Sequence, residues 1–389
     1  MPVRVGIARA ADRRVRDDPI FVLEALGESG VEAAGRGLIA SLEALGRTHD
    51  LVFLDQRGAS ISPLLCSPIA DETAPVFDPR QIRECRRAFE QHASLGALDS
   101  GTFAADVEAV RRKLGYRRIE LIGYFYGTRI AEQYIRRWPG RVSAAVLADP
   151  SPLNDPAAQT ESRAISRSIA STIRACRADE ACNSRYPDLA AEWARASARL
   201  TSDARGRGLL EWMKLRTLRW TSAASWPRDV DSIARGNAAP LLAQYAAYRR
   251  TVLRAYPLAL RIAVDCAENI PAQPLPIGSD SANEQATCSA WPVRRPSQTS
   301  PTRGDNVPTL AVTGEFDIEA PADAVRRAFA GDRGTRVLVF PGRARATDTD
   351  WEECMGPIVT AFLQSRNAAG IDTSCATRVR RPAFMVGAP

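Results

Sequence analysis

Short apolar runs alternate with longer amphipathic ones along the first 150 residues, and that alternation sets the fold class. Pro19–Leu23, Leu51–Leu54 and Val142–Leu147 are mainly apolar runs of the kind found in strands buried on both faces, and Ile119–Ile122 reads as a short buried strand. Pro2–Ala8 alternates apolar with polar residues and predicts a further strand. Between these runs, Gly37–Leu45, Arg80–Phe89, Thr102–Leu114 and Thr128–Trp138 repeat apolar residues at helical spacing. In the last of them Ile130, Ala131, Tyr134, Ile135 and Trp138 share one face. Strand and helix in turn predict an α/β fold, a mostly parallel sheet with helices on both sides.

The pattern changes after Asp149-Pro-Ser-Pro-Leu153. From about 155 to 300 the chain reads as helical and rich in Ala and Arg, and it holds Trp193, Trp212, Trp220, Trp226 and Trp291. Those tryptophans either pack a helical subdomain or line a ligand cleft. Pro292–Pro308 reads as a return linker, strands resume at Thr309–Thr313 and Val337–Phe340, and Pro357–Gln364 closes the chain as a helix. The expected organisation is a core over 1–154, an inserted helical cap over 155–300 and the rest of the core over 301–389.

Composition narrows the partners. The net charge of +7 is almost all arginine, since Lys113 and Lys214 are the only lysines. No dense basic tract carries interleaved aromatics, so no nucleic-acid partner is predicted. No apolar run approaches the length of a membrane span. The eight cysteines fall in four successive pairs, Cys66/Cys85, Cys176/Cys182, Cys266/Cys288 and Cys354/Cys375. That spacing predicts four short-range disulfides and an oxidising compartment, with buried free thiols as the alternative. His49 and His92 are the only histidines and C-x-x-C is absent, so neither a metal nor another cofactor is implied. The opening Met-Pro-Val-Arg-Val lacks the charged and apolar regions of a signal peptide.

Chemistry points to Leu121-Ile-Gly-Tyr-Phe-Tyr-Gly-Thr128, where Gly123 and Gly127 flank a tight strand-to-helix turn. A serine between two such glycines, G-x-S-x-G, is the nucleophile elbow of α/β-hydrolases, but Phe125 stands there in this chain. The loop leaving Pro19–Leu23, which supplies an oxyanion-hole amide in such enzymes, reads Glu24-Ala-Leu-Gly-Glu-Ser-Gly30. Glu24 and Glu28 oppose that task and favour a cationic ligand. Tyr124, Phe125 and Tyr126 can form an aromatic floor. Asp55 and Arg57 are expected to fix the turn after Leu54 by ion pairing or backbone hydrogen bonds.

Several motifs together resemble one family, the secreted α/β-hydrolases of the tripeptidyl-aminopeptidase-like and prolyl-aminopeptidase group. They are Leu54-Asp-Gln-Arg-Gly58, Gly123-x-x-Tyr-Gly-Thr128, Gly314-Glu-x-Asp317, Cys176-x5-Cys182 with Tyr186-Pro187, and Ile371-Asp-Thr-Ser-Cys375 with Arg381-Pro-Ala-Phe384. The resemblance covers nearly the whole chain and implies an α/β-hydrolase fold with an inserted cap. Members of the group usually carry a signal peptide and a further N-terminal sheet segment, and they cleave short peptides or amides with a Ser-His-Asp triad. Carried across, the acid falls on Asp317, the nucleophile on Phe125 and the base on Arg345. The oxyanion loop falls on Ala25-Leu-Gly-Glu28, and Glu268 matches a cap glutamate that meets a substrate's ammonium group. A plainer account leaves Glu268 on the cap surface beside a disulfide. Arginine stays protonated and cannot be a base at neutral pH, so an Asp317–Arg345 ion pair is expected in place of the triad's hydrogen bond.

The function expected is a degenerate, non-hydrolytic relative that binds a small molecule or peptide between core and cap. One alternative is an enzyme that reuses the pocket for cyclisation, elimination or isomerisation through Asp317, Glu24, Glu28 or Tyr124. The other is a residual hydrolase with a relocated nucleophile among Ser29, Ser60, Ser62 and Thr128, served by His49 or His92.

Overall fold

The structure is a computed structural model that describes residues 3–12, 16–59, 79–91, 95–151, 157–217, 220–255, 258–269, 286–293, 307–317, 321–343, 345–348, 351–378 and 382–387. Its centre is a sheet in the order β1-β3-β2-β4-β5-β6-β7. The strands are β1 (Val5–Ala8), β2 (Ile20–Leu23), β3 (Leu51–Leu54), β4 (Ile119–Tyr124), β5 (Val142–Ala148), β6 (Thr309–Gly314) and β7 (Thr335–Phe340). β1 runs antiparallel to β3, and every other pairing is parallel.

The apolar runs are continuous because successive side chains go to opposite faces and both faces are covered. Phe21, Val52, Leu121 and Leu147 pack with helices α1 (Ser100–Lys113) and α2 (Tyr126–Arg137) on one side. Ile20, Phe53, Ile122 and Val146 pack with helix α3 (Gly356–Ser365) on the other. Asp99 caps α1 by accepting from the Thr102 amide at 2.8 Å.

The expected helix over Gly37–Leu45 is broken. Residues Gly30–Gly46 form short pieces, and Gly37 at φ 119 interrupts the helical backbone. The pattern of apolar residues does not register a left-handed glycine, which only the backbone reveals.

The inserted helices build a core of their own, in which Trp226 is fully buried, lies 5.1 Å from Trp193 and donates from Nε1 to the Met213 carbonyl at 3.0 Å. Phe384 and Val386 of the C-terminal tail pack against it. Leu260, Val264 and Trp291 instead join the cluster on the α1–α2 face of the sheet, where Trp291 lies 6.0 Å from Phe89. So Trp193, Trp226 and Trp291 are packing residues, and the side chain of Trp220 lies outside the described residues. Disulfides join Cys176 to Cys182, Cys266 to Cys288 and Cys354 to Cys375. Cys66, expected to pair with Cys85, lies outside the described residues. Among the described residues no helix is long and apolar enough to cross a membrane.

Candidate functional site

The turn after β4, expected to be a nucleophile elbow, is a tight strand-to-helix turn with Phe125 at its tip. Phe125 sits at φ 49 and ψ −114, outside the regions that an L-residue adopts without strain. The turn is held by the Phe125 amide donating to the Ala148 carbonyl at 3.0 Å, and by Thr128 donating to the Phe125 carbonyl from its amide at 3.1 Å and from Oγ1 at 2.5 Å. Both flanking glycines are required. A Cβ on Gly123 would come within 2.8 Å of the Gly127 backbone, and one on Gly127 would overlap the Leu23 carbonyl.

The three aromatic residues of the turn diverge and do not form one floor. Tyr124 packs into the α3-side cluster, and Tyr126 packs into the opposite cluster, 6.2 Å from Phe103. Burial raises both phenols well above the usual tyrosine range. Only Phe125 stays half-exposed, with the Arg345 guanidinium 4.6 Å above its ring centroid.

The turns after β6 and β7 carry Asp317 and Arg345, the residues expected at the acid and base positions. The Phe316 amide donates to the Arg343 carbonyl at 2.7 Å, and the Gly342 amide to Glu315 Oε2 at 2.8 Å, so the turns after β6 and β7 are tied together. Asp317 is buried within the first of them.

Asp149, at the end of β5, is a site residue that the motifs missed. Its carboxylate accepts from the Ala346 amide at 2.7 Å, the Thr347 amide at 3.0 Å and Thr347 Oγ1 at 2.5 Å, and so anchors the loop that carries Arg345. Burial pushes this carboxyl up to about 6, against those hydrogen bonds and the charge of Arg345. Its backbone takes a left-handed φ of 49, which no residue pattern in the sequence announces. Asp149→Ala is expected to destabilise the chain by about 3 kcal/mol in urea unfolding, because it strands buried donors, and to speed hydrogen exchange at Ala346 and Thr347.

The loop after β2 folds as a turn in which the Glu28 amide donates to the Ala25 carbonyl at 3.1 Å and Gly27 takes φ 78. Gln56 clamps it, donating from Nε2 to the Glu24 and Ala25 carbonyls at 2.9 and 3.0 Å and accepting from the Gly27 amide at 3.1 Å. Neither Asp55 nor Arg57 serves its own turn as expected. Asp55 accepts from Arg4, Ser29 and Val31, and Arg57 donates to Asp106 on α1. Glu28 is exposed, whereas Glu24 is buried at the end of β2. Burial, then the nearby Glu28, push Glu24 up to about 7. Below that pH it is mostly uncharged, so it opposes an anion less than its residue type implies.

Glu268 is not on the surface. Its side chain is 7% exposed and reaches the elbow helix, accepting from the Ser100 amide at 2.6 Å, Tyr126 OH at 3.2 Å and Arg129 Nη1 at 3.3 Å. It therefore positions the elbow and is already neutralised by Arg129.

Of the alternative nucleophiles, Ser29 and Thr128 fall within the described residues, and both are engaged in hydrogen bonds. Ser29 donates to Asp55 at 2.7 Å and caps the next helix, and Thr128 Oγ1 is bonded to the Phe125 carbonyl and the Ser151 amide. His49 is fully buried at the opposite end of the sheet, whereas Ser60, Ser62 and His92 lie outside the described residues. Among the described residues no group of three or more His, Cys, Asp or Glu is placed to hold a metal ion.

A model of the alpha/beta hydrolase fold matches residues 18–342. The serine protease Hip1 of Mycobacterium bovis and of Mycobacterium tuberculosis is 32% identical over 140 residues, which is 31% of this chain and 27% of that protein. The aligned stretch thus spans about a quarter of that relative. Among solved structures, a proline iminopeptidase from Mycobacterium smegmatis matches with a TM-score of 0.42 and 17% identity, over 94% of this chain and 96% of its own. MGS-M2, an α/β hydrolase enzyme from a Medee basin deep-sea metagenome library, matches with a TM-score of 0.44 and 12% identity, over 94% and 93%.

Proposed function

Because this chain belongs to the α/β hydrolase fold family, we propose that it is a non-hydrolytic member, acting as a binding protein for a small molecule or peptide held between the sheet and the inserted helices. The supporting observation is the stack of Arg345 on Phe125. In a serine hydrolase these two positions carry the attacking oxygen and the base that takes its proton. Phenylalanine has no nucleophilic atom, and a guanidinium is already protonated. Losing both groups removes about six orders of magnitude from the turnover of a serine hydrolase. Glu24 and Glu28 replace the open, glycine-rich loop that would hold an oxyanion, and an Asp317–Arg345 ion pair would add a second tie between the acid and base turns. The disulfides among the described residues support an extracellular setting for this role.

Glu24 favours a second reading. A buried carboxyl that titrates near 7 beside the elbow is suited to general acid–base chemistry. Turnover of a small molecule that disappears in Glu24→Gln would support it over binding alone.

The first reading is tested by fluorophosphonate labelling and aminoacyl-amide cleavage on the natural chain and on Phe125→Ser/Arg345→His. The natural chain is expected to show neither, and its labelling would sink the non-hydrolytic reading. Activity confined to the double variant would show that the elbow remains poised.

A further inference from the structure

β4 carries the elbow at one end and Glu120 at the other, where Glu120 meets His49. Both side chains are 0% exposed. His49 Nδ1 lies 3.1 Å from the Leu45 carbonyl oxygen and 3.0 Å from Thr48 Oγ1. A carbonyl oxygen only accepts, so Nδ1 carries the proton of that bond and Nε2 of the neutral ring is a bare lone pair. Nε2 faces Glu120 Oε2 at 3.6 Å, and neither atom has a hydrogen-bond partner among the described residues. An ionised Glu120 would set a carboxylate oxygen against that lone pair in a site closed to water.

The surrounding charges are already matched. Arg366 donates from Nε to Glu120 Oε1 at 3.0 Å and from Nη2 to Asp18 Oδ2 at 2.9 Å, and Ser143 Oγ donates to the same Asp18 oxygen at 2.6 Å. Arg16 is turned to the Leu363 and Gln364 carbonyls, and Asp50 to Arg9, Tyr116 and the Ala10 amide. This network ties β2, β4 and β5 to the ends of Glu43–Gly46 and α3.

We propose that one proton bridges Glu120 and His49, carried by the carboxyl group and donated to Nε2, and that it makes this end of the sheet a pH-responsive clasp. The electrostatics agree, since burial pushes the Glu120 carboxyl up to about 7 and the His49 ring down. The raised carboxyl contributes stability that is lost as pH climbs from 4.5 through about 7, and the depressed imidazole contributes stability that is lost as pH falls below 6.5. Just below 6.5 the two slopes oppose each other, and above 6.5 only that of the carboxyl remains, so stability falls as pH rises through about 7. The clasp is therefore fully set in mild acid and released above neutrality.

With only two histidines, nitrogen-15 NMR of the full chain reads the ring directly, and His92→Gln assigns the signals. From pH 5 to 6.5, His49 is expected as the neutral tautomer with the proton on Nδ1 and Nε2 accepting a hydrogen bond. In Glu120→Gln the amide donates to Nε2 permanently, so the fall in Tm between pH 6.5 and 8 shown by the natural chain is expected to disappear. An imidazolium or an Nε2–H tautomer at pH 6 would overturn the bridge, as would a Tm step that persists in Glu120→Gln. Should that variant not fold, the spectrum of the natural chain decides alone.

Discussion

Gly127→Ala is expected to destabilise the chain by more than about 3 kcal/mol, and in practice to abolish soluble expression. The added methyl group would overlap the Leu23 carbonyl and lie 2.8 Å from the Glu24 carbonyl oxygen. Both obstacles are backbone, so no rotamer change relieves them. The helix α2 must instead lift away from β2, and with it goes the packing of Ile130 and Tyr134 in the cluster beneath. Gly140→Ala is the matched control, because nothing lies within 4 Å of a Cβ there. Its urea midpoint should stay close to that of the natural chain. If Gly127→Ala unfolded at the same midpoint as the control, the tight approach of elbow and β2 would be wrong.

Glu268→Ala is expected to cost about 3–5 kcal/mol, since removing one partner of a buried ion pair leaves the other charge stranded. The group that loses this carboxylate is the Arg129 guanidinium, whose side chain is 4% exposed. Arg129 also donates from Nε to the Ser151 carbonyl at 3.1 Å, so it is not free to turn outward. Tyr126 OH and the Ser100 amide lose an acceptor in the same substitution. Glu268→Met/Arg129→Met should recover much of the loss by replacing the pair with apolar volume. Equal midpoints for the single variant and the natural chain would return Glu268 to the role of a free recognition group.

The strands were legible because they are buried on both faces, which leaves uninterrupted apolar runs such as Ile20–Leu23 and Leu51–Leu54. The elbow was legible because its two glycines answer to backbone clashes that admit no other residue. Other features were hidden for identifiable reasons. Asp149 anchors the Arg345 loop across 197 positions of sequence, and no local pattern announces a partner so distant. The motif Asp55-Gln-Arg-Gly58 was visible, but its most useful member, Gln56, was not singled out, since an amide clamp on a neighbouring loop has no periodicity. Glu268 was assigned to the cap by position, whereas the segment around it packs on the sheet face. Tyr124 and Tyr126 were grouped by adjacency, although one ends β4 and the other opens α2, and the turn between them sends the two rings into clusters on opposite faces of the sheet.

The excursion between β5 and β6 has a consequence for how the chain is made. Residues 149–308 leave the sheet at Ala148 and return at Thr309, a loop of 160 residues. Closing so long a loop is thermodynamically mild, since each doubling of length adds only about 0.6 kcal/mol. In time it is not mild. At about 5–20 residues per second, translation of that stretch takes on the order of 10–30 s. Throughout that interval β1 to β5 can assemble, but Ala145–Ala148 still waits for the strand that will pair with it. Asp149 likewise waits for the Ala346 and Thr347 amides. The nascent protein thus displays an unpaired, apolar strand edge beside a buried-type carboxylate, a template for association with other chains. A holdase chaperone that covers this edge during synthesis therefore acts on the half-built sheet rather than on the finished fold.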